Sequence, residues 1–207
     1  METKKIKSLM ILASILFAIL TTLVLIEHSP TQTTNDAIYA PFASIINPTL
    51  TTMGIWIGSL THWYTYAPII LLLIILPSTR KDIGIPMAIT LSVSAITGPI
   101  LLKNLFAIER PLVNQLIEPG GFGYPSGHSL NAVVFFGMCT IMVLRYASHD
   151  IFKKIFPYFA VISILLVGLS RIYLGVHTAT DVIGGYLVGI VILCAAVLIE
   201  RRYKERG

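Results

Sequence analysis

Six long apolar runs set the first limit on this chain. They lie at about residues 9–26, 54–77, 83–106, 126–145, 157–174 and 178–199. A helix needs about 20 mostly apolar residues to cross the hydrocarbon of a bilayer. Within that layer only helices and closed barrels satisfy every backbone polar group. The expected fold is therefore all-α: a polytopic membrane protein of six transmembrane helices, forming a single domain over residues 1–207. Hydrophobic residues make up 55% of the chain and charged residues 12%. That balance excludes a disordered chain, a coiled coil and an ordinary soluble domain, where about 25% of residues are charged.

The segments between the runs are short. Lys4, Lys5 and Lys7 precede the first run in the manner of a signal peptide. The run is long for such a segment and no A-x-A site follows it, so it reads as a retained helix. Residues 27–36 are polar, with Pro30, Asn35 and Asp36. Residues 37–52, broken by Pro41 and Pro48, are expected to lie in the interface near Trp56 and Trp63 or to form a plain loop. Residues 107–125 carry Pro111, Pro119, Gly120, Gly121, Gly123 and Pro125 and read as a loop, whose glycines suit the 112–124 part to act as a gate or a passive linker. Residues 146–156 are polar and basic. Cys139 and Cys194 fall inside apolar runs and read as small buried hydrophobes, with no Cys/His cluster to suggest zinc. Gly185 and Gly189 form a GxxxG suited to close packing within the chain.

A net charge of +5 would suggest nucleic acid as partner for a soluble protein. Here topology explains it, because basic residues collect in cytoplasmic segments. With the N-terminus inside, the inner segments hold Lys4, Lys5, Lys7, Arg80, Lys81, Arg145, Lys153, Lys154, Arg201, Arg202, Lys204 and Arg206. Both termini are then cytoplasmic. The outer segments keep only Lys103, Arg110 and Arg171 of the 15 Lys and Arg residues. These three sit at or near the ends of apolar helices, where an unpartnered charge is costly. Snorkelling to water is the bland explanation. The outer carboxylates available to compensate them are Glu27, Asp36, Glu109, Glu118 and Asp181.

Two histidines share that face. His128 lies in Tyr124-Pro125-Ser126-Gly127-His128-Ser129, at the start of the fourth run. A helix beginning there turns free N–H groups and the positive end of its dipole outward, which suits phosphate. Ser126 adds a hydroxyl, though it also reads as a simple N-cap. His177 and Asp181, four residues apart, share one helical face. A carboxylate on one ring nitrogen makes the other a better nucleophile; a structural cap is the alternative. Cations and N–H groups suit phosphoryl oxygens, and a nucleophilic and an acid histidine suit in-line displacement. The implied reaction is phosphoester or diphosphate hydrolysis at a membrane surface. Acidic ligands for a hydrolytic metal are scarce.

Three spaced motifs carry a family resemblance. Lys103 and Arg110-Pro111, then Pro125-Ser126-Gly127-His128, then Ser170-Arg171 with His177 and Asp181, resemble in order the three motifs of the type 2 phosphatidic acid phosphatase (PAP2) family. The size and helix layout resemble its bacterial phosphatidylglycerophosphate and undecaprenyl-diphosphate phosphatases. The resemblance implies a PAP2/haloperoxidase-like helical bundle and a membrane lipid phosphatase with no metal or other cofactor. It implies that His177 attacks phosphorus, Asp181 orients His177, and His128 protonates the leaving oxygen. Lys103, Arg110, Ser126, Gly127 and Arg171 would hold the phosphoryl oxygens. The expected substrate is a lipid (di)phosphate on the outer face, undecaprenyl diphosphate foremost, with phosphatidylglycerophosphate and phosphatidic acid as alternatives. Membrane lipids are the expected surroundings and no nucleic acid partner is expected. Phosphotransfer to another lipid, and a non-catalytic lipid-phosphate binder or flippase, are competing readings; the latter would be expected to lack His128, His177 or Asp181. His62 and residues 37–52 are candidates for admitting lipid.

Overall fold

The computed structural model of the chain describes residues 2–26, 29–111 and 113–205, with the backbone alone for 29–32. The described residues are helical with no strand. Helix α1 (Thr3–Leu25) leads to α2 (Ser29–Ala43). Next come α3 (Pro48–Ser59) and α4 (Trp63–Ile75), separated by a short break. A continuous stretch follows: α5 (Pro77–Thr79), a π-type segment at Arg80–Gly84, α6 (Ile85–Ile96), a second π-type segment at Thr97–Leu102, and α7 (Lys103–Phe106). Helices α8 (Gly127–Tyr146), α9 (Asp150–Tyr173) and α10 (Ala179–Lys204) complete the fold. Six stretches are long and apolar enough to span: Thr3–Leu25, Pro48–Ile75, Pro77–Phe106, Gly127–Tyr146, Asp150–Tyr173 and Ala179–Lys204. The chain is a multi-pass membrane protein.

Three sequence expectations are corrected. Residues 29–43 form a helix where a polar connection and an interfacial or loop segment were expected. Tertiary bonds pin its polar face: Asn35 Oδ1 accepts from Thr180 N at 3.2 Å, and Asn35 Nδ2 donates to Thr180 Oγ1 at 3.1 Å. The second span starts at Pro48, upstream of the expected 54, because Pro48 opens α3 instead of interrupting it. Asn47 caps that helix, its Oδ1 accepting from Leu50 N at 2.9 Å. The fifth span starts at Asp150, so much of the expected 146–156 connection is helical, and Pro157 lies inside the helix. Asp150 in the first turn suits the positive end of the dipole.

Helix α8 is central. It packs on α6, α9 and α10, and α1 lies along α10. Leu130, Val134, Phe135 and Phe136 of α8 meet Met87, Leu91, Val167, Val188 and Ile192 in the core. The GxxxG serves this packing, as expected: a Cβ on Gly185 or Gly189 would run into the α8 backbone at Ser126 O or Leu130 O. Side chains such as Leu12, Ile19, Leu71, Leu72 and Ile162 are exposed, which in a bilayer means facing lipid. Cys139 and Cys194 are free thiols in the helices, Cys194 buried. Arg201 Nη1 donates to Thr3 Oγ1 at 3.1 Å, so the first and last spans meet at the basic end of the bundle.

Candidate active site

The sequence places the site where several helices end. Helix α7 stops at Ala107, which takes a left-handed turn with φ 51°. Among the described residues the chain then runs without helix to Ser126, the N-cap of α8. Ser126 N donates to Asp181 O at 2.9 Å, tying the start of α8 to the start of α10. After α9 the chain turns back at Gly175, and Val176 N bonds Arg171 O at 3.2 Å, so His177 is delivered beside the last turn of α9. Helix α10 then begins with a capping box between Thr178 and Asp181.

His177 is only 3% exposed. Its Nδ1 lies 3.4 Å from Asp181 Oδ2, an oxygen that also accepts from Thr178 N at 2.8 Å. Its Nε2 lies 3.4 Å from Arg110 Nη1. A guanidinium can only donate. Nε2 must therefore offer its lone pair on that side, which assigns the proton to Nδ1, facing the carboxylate. Burial lowers the imidazole pKa to about 4, with Asp181 pulling the other way. The ring is neutral at ordinary pH and its free nitrogen faces a cation.

The three cations that the sequence left on one face converge here. Arg110 donates from Nε to Gly121 O at 2.9 Å, from Nη2 to Gly120 O at 2.7 Å and from Nη1 to Val176 O at 2.6 Å. Burial lowers its pKa, opposed by Asp181. Gly121 has φ 64°, a conformation that favours glycine, so the loop that presents these carbonyls depends on it. Lys103 Nζ donates to Phe122 O at 2.6 Å. Arg171 Nη2 donates to Gly54 O at 2.8 Å and its Nε to Ser170 Oγ at 3.2 Å. Its guanidinium fills the space beside Gly58, where a Cβ would collide with it. Among the described residues no carboxylate ion-pairs with any of the three. Glu27, one carboxylate considered for compensation, lies outside the described residues. Carbonyl dipoles thus solvate these cations without cancelling their charge.

Lys103, Arg110, Arg171, His128 and His177 line one cavity of about 520 Å³. Gly127 lines it too, at the N-terminus of α8. Two predicted site residues stand behind the wall. Asp181 is buried behind His177. Ser126 is fully buried, and its Oγ is engaged as the N-cap, accepting from Ser129 N at 3.4 Å and pairing with Ser129 Oγ at 3.1 Å. Sequence reasoning missed His62 and Asn131 as part of this wall. His62 was noted only as a candidate for admitting lipid. Its place near one end of the second span, at the level of the motif residues, was the available signal. Glu118, from the loop, also lines the cavity.

The arrangement can seat a tetrahedral anion among three cations and a helix N-terminus, against an oriented, neutral imidazole. Known proteins with this architecture were found. The PAP2 superfamily model matches residues 84–205. An undecaprenyl-diphosphatase of Sulfolobus acidocaldarius is 34% identical over 158 residues, covering 73% of this chain and 71% of the relative. Phosphatidylglycerophosphatase B of Bacillus subtilis is 31% identical over 109 residues, covering 51% of this chain and 52% of the relative. The chain thus spans about half the length of that Bacillus relative. The crystal structure of a transmembrane PAP2 type phosphatidylglycerolphosphate phosphatase from Bacillus subtilis superposes with a TM-score of 0.83, at 25% identity, over 93% of this chain and 96% of that one. Aquifex aeolicus LpxE shares the fold at a TM-score of 0.60 and 24% identity, over 78% of this chain and 93% of that one.

Proposed function

Because the chain belongs to the PAP2 superfamily, we propose that it is a membrane lipid phosphatase that hydrolyses a lipid diphosphate, undecaprenyl diphosphate foremost, through a phosphohistidine. One observation carries this reading. Buried Lys103 and Arg171 and half-buried Arg110, none ion-paired to a carboxylate among the described residues, line one cavity with a histidine whose Nε2 faces Arg110 and whose Nδ1 meets an aspartate. Such a site has a charge deficit that a phosphate fills and a nucleophile placed where its phosphorus would sit.

The mechanism follows from the chain's own groups. His177 Nε2 attacks the terminal phosphorus, forming an N–P bond as the bond from phosphorus to the bridging oxygen breaks. His128 gives a proton to the leaving lipid phosphate. Asp181 holds the Nδ1 proton and stabilises the positive imidazole as it forms. Lys103, Arg110, Arg171 and the N–H groups at the start of α8 take up the charge spread over the phosphoryl oxygens. Water then attacks the phosphohistidine, His128 accepts its proton, and inorganic phosphate leaves. Ser126 acts from behind, by fixing the helix terminus. The basic bias of the opposite end supports a cytoplasmic location for both termini and an outward-facing cavity.

Phosphate release by the purified protein in detergent, with EDTA present, tests the proposal. Undecaprenyl diphosphate, phosphatidylglycerophosphate and phosphatidic acid are compared, with His177→Ala as control. Release that is EDTA-insensitive, His177-dependent and fastest on the diphosphate is expected. A preference for a glycerolipid would overturn the substrate, and release that persists in His177→Ala would overturn the nucleophile.

A further inference from the structure

His62 has no place in the mechanism above, yet it forms part of the same wall. It sits in the break between α3 and α4 and is the N-cap of α4, but its side chain makes no capping bond. Its ring stacks on Tyr64 with centroids 4.2 Å apart and lies 6.1 Å from the ring of His128. Its Nδ1 is sealed from solvent and meets no hydrogen-bond partner, the only such side-chain atom among the described residues. Nε2 is also unbonded but is not sealed, and the residue lines the cavity.

These facts choose a tautomer. A proton on Nδ1 would bury an unsatisfied N–H, which costs about 1–3 kcal/mol. A proton on Nε2 leaves only a lone pair in the sealed position and turns the donor toward accessible space. His62 therefore presents an N–H donor close to His128, on the leaving-group side of the reaction, while Arg110 lies against His177.

We propose that His62 is a specificity-determining residue that donates from Nε2 to the phosphate of the leaving group, so that the site selects lipid diphosphates over lipid monophosphates. The proposal rests on the phosphatase reading above. When His177 takes the terminal phosphoryl group of a diphosphate, the bridging oxygen departs with a second phosphate. That phosphate has non-bridging oxygens that need donors once they leave water. A monophosphate ester departs as an alcohol, with no such oxygens, and has nothing to accept from His62. Discrimination by a donor that only one substrate can use is the kind that a polar site performs best.

The experiment compares farnesyl diphosphate with farnesyl monophosphate, which share one chain. Phosphate release is measured for the wild type, His62→Ala and His62→Gln, the glutamine keeping an N–H donor. The readout is the ratio of kcat/KM for the two substrates on one preparation, which does not depend on the folded fraction. His62→Ala is expected to lower the ratio at least tenfold, with monophosphate turnover within about twofold of wild type, as expected for one lost hydrogen bond to a charged group. His62→Gln is expected to recover part of the ratio. An unchanged ratio in His62→Ala, whether both rates hold or both fall together, overturns the proposal. Failure of the wild type to release phosphate from either probe, or from the lipids named above, overturns the phosphatase reading and this proposal with it.

Discussion

The two ends of the bundle handle positive charge in opposite ways. At the end where α1 and α10 meet, Arg145 Nη1 lies 2.5 Å and Lys204 Nζ 2.9 Å from the same Glu200 oxygen, and all three side chains keep contact with solvent. At the other end Lys103 and Arg171 are 9% and 4% exposed, Arg110 is bonded only to carbonyls and a neutral histidine, and no carboxylate is within pairing distance among the described residues. An exposed ion pair contributes little to stability. A buried cation without a counter-charge costs free energy that the fold must offset elsewhere. Two buried cations and the half-buried Arg110, held together at that cost, fit the proposal that they serve an anionic ligand. Local structure thus separates the ion-paired basic residues of one end from the carbonyl-bonded ones of the other.

The sharpest way to break this comparison is at the nucleophile. His177→Ala is expected to lower phosphate release by about 10⁴-fold or more while the melting temperature stays close to wild type. Arg110→Ala comes next. Removal of one preorganised donor to phosphoryl oxygens is expected to lower kcat by about 10²–10³-fold, whereas Arg145→Ala at the opposite end is expected to stay within about twofold. Equal losses at Arg110 and Arg145 would erase the distinction between the two ends. Asp181→Asn is expected to be impaired by about 10–100-fold without being dead, because orientation is lost and the imidazole is kept. The pH profile refines the picture. Burial puts the His177 pKa at about 4, so its lone pair is available above that pH and is lost only as pH falls through it. The residual activity of His128→Ala is therefore expected to show no acid limb between pH 7 and about 5; a limb centred near 6 would reassign the nucleophile. The smallest effect is on stability at the basic end, where Arg145→Ala is expected to cost about 1 kcal/mol or less in denaturant unfolding.

Much of this was legible in sequence because membrane segments obey a simple physical rule. Lipid demands long apolar helices, so the number of spans and their order follow from hydropathy. The candidate site was legible because charge at the end of an apolar run is expensive, and Lys103, Arg110, Arg171, His177 and Asp181 stand out against their surroundings. What escaped depended on tertiary contacts. Helix α2 is polar and carries Pro41, and its docking through Asn35 to Thr180 is invisible locally. Pro48 was read as a break when its position after Asn47 made it a helix start. The Ser126 hydroxyl had two readings, and packing decides for the cap: the residue is fully buried behind the cavity wall. His62 belongs to no motif, and only the break between α3 and α4 brings it beside His128.

The three bonds that hold Arg110 also decide where its ordering cost falls. A mobile arginine loses about 2 kcal/mol of rotamer entropy when it clamps an anion. Here Gly120, Gly121 and Val176 have already frozen the side chain, so that loss is incurred when the chain folds and not when lipid arrives. With Nη1 also against His177 Nε2, one of its five N–H donors remains uncommitted. A substitution that loosens the loop at Gly121 therefore shifts the loss from folding to binding: the folded chain gains freedom at Arg110, and each encounter with an anion must remove it again.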